Sequence, residues 1–161
     1  LGLAPGDVTD VVLTHHHWDH VEGLARFRRA RVHVHAREWA RVSERVRRGV
    51  AGPRLHAFTG RTRRLLEGLS LRVAGRHTSH HTMVELRCAD REVVLAGDAA
   101  YLYRNLEARR PVAVTADPAR NVADVAAAAE RVGMQDVLPG HDPALFARYP
   151  SSVEGVAAIC P

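Results

Sequence analysis

The chain has 161 residues and is 46% hydrophobic, which fits one domain with a packed core; an added nucleic-acid-binding domain is not expected. All 23 of its basic residues are arginine, set against 18 acidic ones for a formal charge of +5; they are scattered among acids without interleaved aromatics, which argues against a nucleic-acid partner. No apolar run is long enough to span a membrane and no signal peptide is visible, so a cytoplasmic protein is expected.

In chain order, "DVVLT" (10–14) reads as a short buried strand and "VEGLARF" (21–27) as a short helix. "RVHVHA" (31–36) alternates and carries β-branched Val32 and Val34, so it is expected as a strand. "AREWARVSERVRRG" (36–49) spaces Trp39, Val42 and Val46 as one helix face, with Gly49 as its stop. Residues 50–68 give no clear pattern beyond a loop at Gly52-Pro53. Three strands are expected at 69–75, 82–88 and 92–97, the last two joined as a hairpin through Ala89-Asp90-Arg91. Residues 98–116 read as loop with a short helix near Leu102 to Ala108. The clearest helix spans 117–133, with Asp117 as cap, Pro118 in the first turn and Gly133 at the end. "QDVLPGHDP" (135–143) is expected as a short strand running into a turn. Strands mixed with helices indicate an α/β or α+β domain. Cys88 and Cys160 belong to no CxxC pair and are expected to be reduced structural thiols.

One segment carries chemistry. His15-His16-His17-Trp18-Asp19-His20 follows the first strand with the spacing H-x-H-x-D-H. In extended backbone, residues two apart point the same way, so His15 and His17 can face one cation. After a turn, Asp19 and His20 can face a second. Imidazole and carboxylate suit zinc, manganese, iron or cobalt. A metal needs further ligands, and His77, Asp98 and His141 each sit where a predicted strand gives way to a loop.

The full pattern resembles the metallo-β-lactamase superfamily, from about residue 8 to about residue 150. "THHHWDH" matches that family's H-x-H-x-D-H signature. "GRHTSHH" resembles its GHTxGH segment, with Arg76 inserted after Gly75 and His80 in place of glycine. "LAGDAAY" and "LPGHDP" resemble its later aspartate and histidine motifs. The resemblance implies a four-layer αββα sandwich. Only 14 residues precede His15, so a single domain over 1–161 is expected to hold the larger C-terminal part of that fold without its first strands. An apolar sheet face left open in this way makes a homodimer one expected assembly.

The same resemblance implies two divalent metal ions, zinc first. His15, His17 and His77 would hold one, Asp19, His20 and His141 the other, and Asp98 would bridge them. His80 and His81 compete with His77; the motif aligns His77 as ligand and His81 as a supporting histidine, and His16 and His80 are read as bystanders. His33, His35 and His56 belong to no motif. No cysteine stands among these positions, unlike the lactamase subclass that uses one.

"GDAAYLYRNLE" (97–107) and "LPGHDPALFARYP" (138–150) resemble N-acyl homoserine lactonases, in which a tyrosine three residues after the bridging aspartate contacts the substrate carbonyl. Tyr101 holds that position. The implied function is quorum-quenching hydrolysis of a small lactone or ester, by attack of a hydroxide held between the two ions. Tyr101 would stabilise the oxyanion and Asp19 would carry a proton to the leaving alkoxide. Asp142 and His81 are candidates for orienting the imidazoles. A glyoxalase-II-like thioesterase and a non-catalytic metal-binding fragment are the alternatives.

Overall fold

The computed structural model describes residues 2–50 and 52–160. Two sheets and six α-helices among them give the mixed α/β class expected. The chain divides into two compact units, Leu1–Gly60 and Arg61–Pro161.

The first unit is built on three parallel strands in the order β1-β2-β3: β1 (Asp10–Leu13), β2 (Arg31–His35) and β3 (Leu55–Phe58). β1 runs into α1 (Trp18–Val21), and a 3-10 turn over Glu22–Arg26 completes the segment read as a short helix. The helical region thus begins earlier than its apolar spacing suggests and takes in Asp19 and His20. The helix expected over 36–49 is two short ones, α2 (Ala36–Trp39) and α3 (Glu44–Arg48). The break has a local cause. Val42 N–H bonds back only three residues, to Trp39, and Ser43 turns extended with ψ 146, the backbone of an N-cap. Gly49 does end α3, as expected. Leu13, Val21, Leu24, Val32, Val34 and Val42 form this unit's core.

The second unit carries β4 (Thr62–Leu66), β5 (Leu69–Val73), β6 (Thr82–Arg87), β7 (Glu92–Gly97) and β8 (Val137–Pro139), in sheet order 4-5-6-7-8. All neighbours are antiparallel except β7 and β8. The β6–β7 hairpin closes where expected, with Cys88 N–H donating to Arg91 O at 2.8 Å. A parallel β8 needs a crossover. It is supplied by α4 (Tyr103–Glu107) and α5 (Pro118–Val132). Asp117 caps α5 by accepting from Arg120 N–H at 3.0 Å, and Gly133 ends it at φ 93. Asn121 and Val125 are the buried residues of α5, and Ala128, Ala129 and Val132 continue the packed stripe. A last helix, α6 (Ala144–Arg148), follows the turn expected to end at residue 143.

The expectation of reduced cysteines is corrected. Cys88 and Cys160 form a disulfide that pins the C-terminal segment beside β6 and β7, next to Val93, Leu138 and Tyr149. Sequence spacing could not pair residues 72 apart without the fold between them. Such bonds persist mainly in oxidising compartments, so the cytoplasmic expectation is not carried further. Among the described residues no helix is long and apolar enough to cross a membrane.

Candidate metal centre

Each unit contributes its own cluster of ligand-type side chains. In the first, β1 ends at Leu13, and His17 is extended, with ψ 150, just before α1 begins. The rings of His15 and His17 lie 4.6 Å apart, and that of His20 lies 4.2 Å from His15. Thr14 Oγ1 stands 3.0 Å from His15 Nδ1, and Asp19 Oδ2 3.5 Å from His20 Nε2. Four of the seven predicted ligands are therefore gathered at one strand end. His16 is turned to a different partner: its Nδ1 bonds Glu38 Oε2 at 2.5 Å, and that carboxylate is fully buried. Glu38 was not foreseen. Its only signal is a charged residue inside an apolar-spaced segment.

In the second unit, three strand ends meet. Asp98 follows β7, His141 follows β8 and His77 follows β5 by a short loop. The Asp98 carboxylate is buried, with Oδ1 3.1 Å from His141 Nε2 and Oδ2 3.5 Å from His77 Nε2. Glycine permits the approach of the first two. A Cβ on Gly140 would stand 2.9 Å from the carbonyl of Gly97, so only bare backbone lets Gly140 N–H donate to Gly97 O at 3.1 Å. The ligand-type residues following these glycines consequently start side by side.

His77 is held in a definite tautomer. Its Nδ1 lies 2.6 Å from Val114 O, and a carbonyl can only accept, so Nδ1 carries the proton and Nε2 keeps its lone pair toward Asp98. His81 Nδ1 lies instead 3.0 Å from Ala74 O with its ring 6.0 Å from that of His77, and His80 Nδ1 lies 3.0 Å from Ser79 Oγ. Of the three competing histidines, His77 is thus the one seated against Asp98. The inserted Arg76 takes a left-handed φ of 46, braced by Ala116 N–H and Thr115 Oγ1 donating to its carbonyl at 2.8 and 2.7 Å. Tyr101 stands beside the cluster, its ring 5.8 Å from His77 and 5.4 Å from His141. Asp142 does not orient an imidazole as expected. Its two oxygens accept from Tyr103 and Ala144 N–H at 2.8 and 2.9 Å, so it joins α4 to α6.

The family model for the metallo-β-lactamase superfamily matches residues 1–145. This chain belongs to that superfamily. No curated protein sequence matches it. Among solved structures it is similar to a Bacillus thuringiensis mutant protein with N-decanoyl-L-homoserine bound at its active site, at 23% identity and TM-score 0.68 over 88% of this chain. It is also similar to a Staphylococcus aureus protein assigned as a metal-dependent hydrolase, at 21% identity and TM-score 0.73. A third is an N-acyl homoserine lactone hydrolase holding its product at the catalytic metal centre, at 22% identity and TM-score 0.68. The alignment covers 88% of this chain in each case but only 59%, 57% and 59% of those chains. At such identities the likeness concerns the fold.

The donor set suits a divalent ion of the zinc type. It consists of imidazole nitrogens and carboxylate oxygens with no thiolate. An imidazole whose far N–H is tied to a backbone carbonyl, as in His77, is the usual arrangement of a metal-binding histidine.

Proposed function

We propose that this chain carries the metal-holding core of a dinuclear hydrolase that opens lactones of the N-acyl homoserine class, its two units acting as one domain. The observation that best supports this is the convergence of His77 and His141 on the two oxygens of buried Asp98, with Tyr101 alongside. In this reading His15, His17 and His77 hold one ion, Asp19, His20 and His141 the other, and Asp98 is shared. Two bound zinc ions would supply an activated water near neutral pH and polarise the substrate carbonyl.

The chain's own residues do the rest. Val114 fixes the His77 ring through its Nδ1–H. The Tyr101 hydroxyl donates a hydrogen bond to the substrate carbonyl oxygen as negative charge gathers there. As the water oxygen bonds to the carbonyl carbon, one water proton passes to the Asp19 carboxylate; the ring C–O bond then breaks and the ring oxygen leaves as an alkoxide. Asp19, half exposed at the first turn of α1, hands that alkoxide its proton. The products are a carboxylate and a hydroxyl on one open chain. The structural neighbours that bind N-acyl homoserines favour a lactone over a glyoxalase-II-type thioester.

The test is metal content per chain on tag-free protein dialysed against zinc buffer, followed by turnover of an N-acyl homoserine lactone and a glutathione thioester. We expect about two ions per chain, a marked loss in Asp98→Asn, and turnover of the lactone alone. Near-zero metal would overturn the proposal. Metal without lactone turnover would leave a metal-binding module, and thioester turnover would move the substrate class.

A further inference from the structure

α5 holds a polar residue where its apolar stripe should be. Asn121 is 1% exposed, and its side chain makes hydrogen bonds to three separate segments. Its Oδ1 accepts from Val112 N–H at 3.1 Å. Its Nδ2 donates to Ala99 O at 2.9 Å and to Gly75 O. Each bond lands beside a residue of the candidate centre. Ala99 follows Asp98. Gly75 lies two residues before His77. Val112 lies two residues before Val114, whose carbonyl fixes the His77 tautomer. One turn on, Asp124 Oδ2 accepts from Gly75 N–H at 2.9 Å, so α5 grips both backbone groups of Gly75.

We infer that Asn121 is a positioning residue that sets the spacing between the loops bearing His77 and Asp98; its link to metal binding rests on the function proposed above. The chemistry demands an amide. An asparagine side chain offers two N–H donors and an acceptor within one short, rigid group, and here all three functions are used. Aspartate has the same shape and keeps the acceptor for Val112. It has no donors, so it would turn a carboxylate oxygen toward two carbonyl oxygens and push the loops apart. Buried polar groups in a shared network transmit such a change to every member.

Asn121→Asp separates this role from general stability. The control is Val125→Ala, which removes buried apolar atoms from the same helix one turn later. In metal-free protein, backbone hydrogen exchange is read at Ala116 and Gly140, whose N–H groups donate to Arg76 O and Ala100 O in the two loops. We expect Asn121→Asp to speed exchange there by about tenfold or more while the β5–β6 ladder changes little, and Val125→Ala to act without that selectivity. Cobalt(II) then serves as a spectroscopic stand-in for zinc, with half-saturation shifted roughly 10–100-fold and an altered d–d band in Asn121→Asp alone. If Asn121→Asp does not fold, Asn121→Ser keeps one donor, and an intermediate shift is expected. The inference is overturned if the two loops exchange no faster than in Val125→Ala. A wild-type chain that takes up no cobalt would count against the proposed function, and the exchange data would still decide the role of Asn121.

Discussion

Gly75→Ala should be among the costliest single-methyl additions in the second unit. Gly75 has φ +84, and a Cβ built there would stand 2.2 Å from Ala99 Cβ, 2.9 Å from Met83 Cε and 3.3 Å from Ala99 Cα. Met83 ends in a flexible methyl that can move aside. Ala99 cannot, because its position is fixed by the main chain leaving β7. The left-handed backbone costs an L-residue about 1–2 kcal/mol, and forced overpacking adds about 1–3 kcal/mol. The more restricted unfolded chain offsets about 0.4–1 kcal/mol. The net loss is about 2–4 kcal/mol, a large share of the roughly 5–15 kcal/mol that holds a domain folded. Gly68→Ala is the matched comparison. Its φ is +75, but the nearest atom to its Cβ is Arg87 Cβ at an ordinary 3.4 Å, so only the backbone cost applies. Urea unfolding followed by far-UV circular dichroism measures both variants. Tryptophan fluorescence is an internal control, since Trp18 and Trp39 both lie in the first unit. Equal destabilisation by the two substitutions would refute the overpacking argument, and with it the claim that Gly75 is fixed by its contact with Ala99.

Three further substitutions probe other parts of the chain. Arg109 follows α4 with φ 48, its N–H donating to Leu106 O, the place where a helix normally ends in glycine; Arg109→Gly should therefore raise stability by about 0.5–1 kcal/mol, seen as a melting temperature a few degrees higher, and a lower one would contradict this. The Cys88–Cys160 bond closes a loop of 72 residues, so Cys88→Ser should lose roughly 4 kcal/mol by the chain-entropy relation; identical denaturation of wild type with and without reductant would show that the bond contributes nothing. Asp10 is held well below the ordinary carboxylate range, first by its hydrogen bond to the Arg31 guanidinium and also by His33. A depressed carboxyl pKa stabilises the fold above the unfolded value near 4 and loses that contribution as pH falls below it. The urea stability of the first unit, followed by tryptophan fluorescence, should accordingly be higher in wild type than in Asp10→Asn near neutral pH and fall more steeply below about pH 4, so that the two converge in acid; parallel curves would refute it.

Much of the architecture could be read from the chain because its signals are local. β1, β2, β5, β6 and β7 follow from alternation or short apolar runs, and α5 from its cap, its proline and its terminal glycine. The failures share a cause. One helix over 36–49 looks right by periodicity, yet the tight turn at Val42 and the extended Ser43 split it. β3 and β4 lie in the stretch that gave no pattern, because β4 alternates exposed with only partly buried residues and lacks a strong apolar face. The disulfide joins residues that only the packing of the C-terminal segment against β6 and β7 brings together.

The candidate centre divides in the same way. H-x-H-x-D-H is legible because residues two apart in extended backbone share a direction, whatever lies elsewhere. Asp98 and His141 are legible as types but not as a pair; the parallel register that sets Val94 beside Val137 and Leu95 beside Leu138 brings their loops together. The glycines before them then have reasons that sequence alone does not state: Gly140 removes a side chain from the point where the two backbones touch, and Gly97 takes a left-handed φ of 52. Glu38 and Asn121 are the harder cases. Each is a polar residue on a helix face that packing buries, and each is stabilised by partners distant in sequence, His16 at 22 residues and Gly75 at 46. An unpaired polar group in such a place would be costly. A polar residue interrupting an apolar helical stripe therefore signals a partner across the fold before the partner is known. In this chain, both such residues bond to segments that carry the candidate metal ligands.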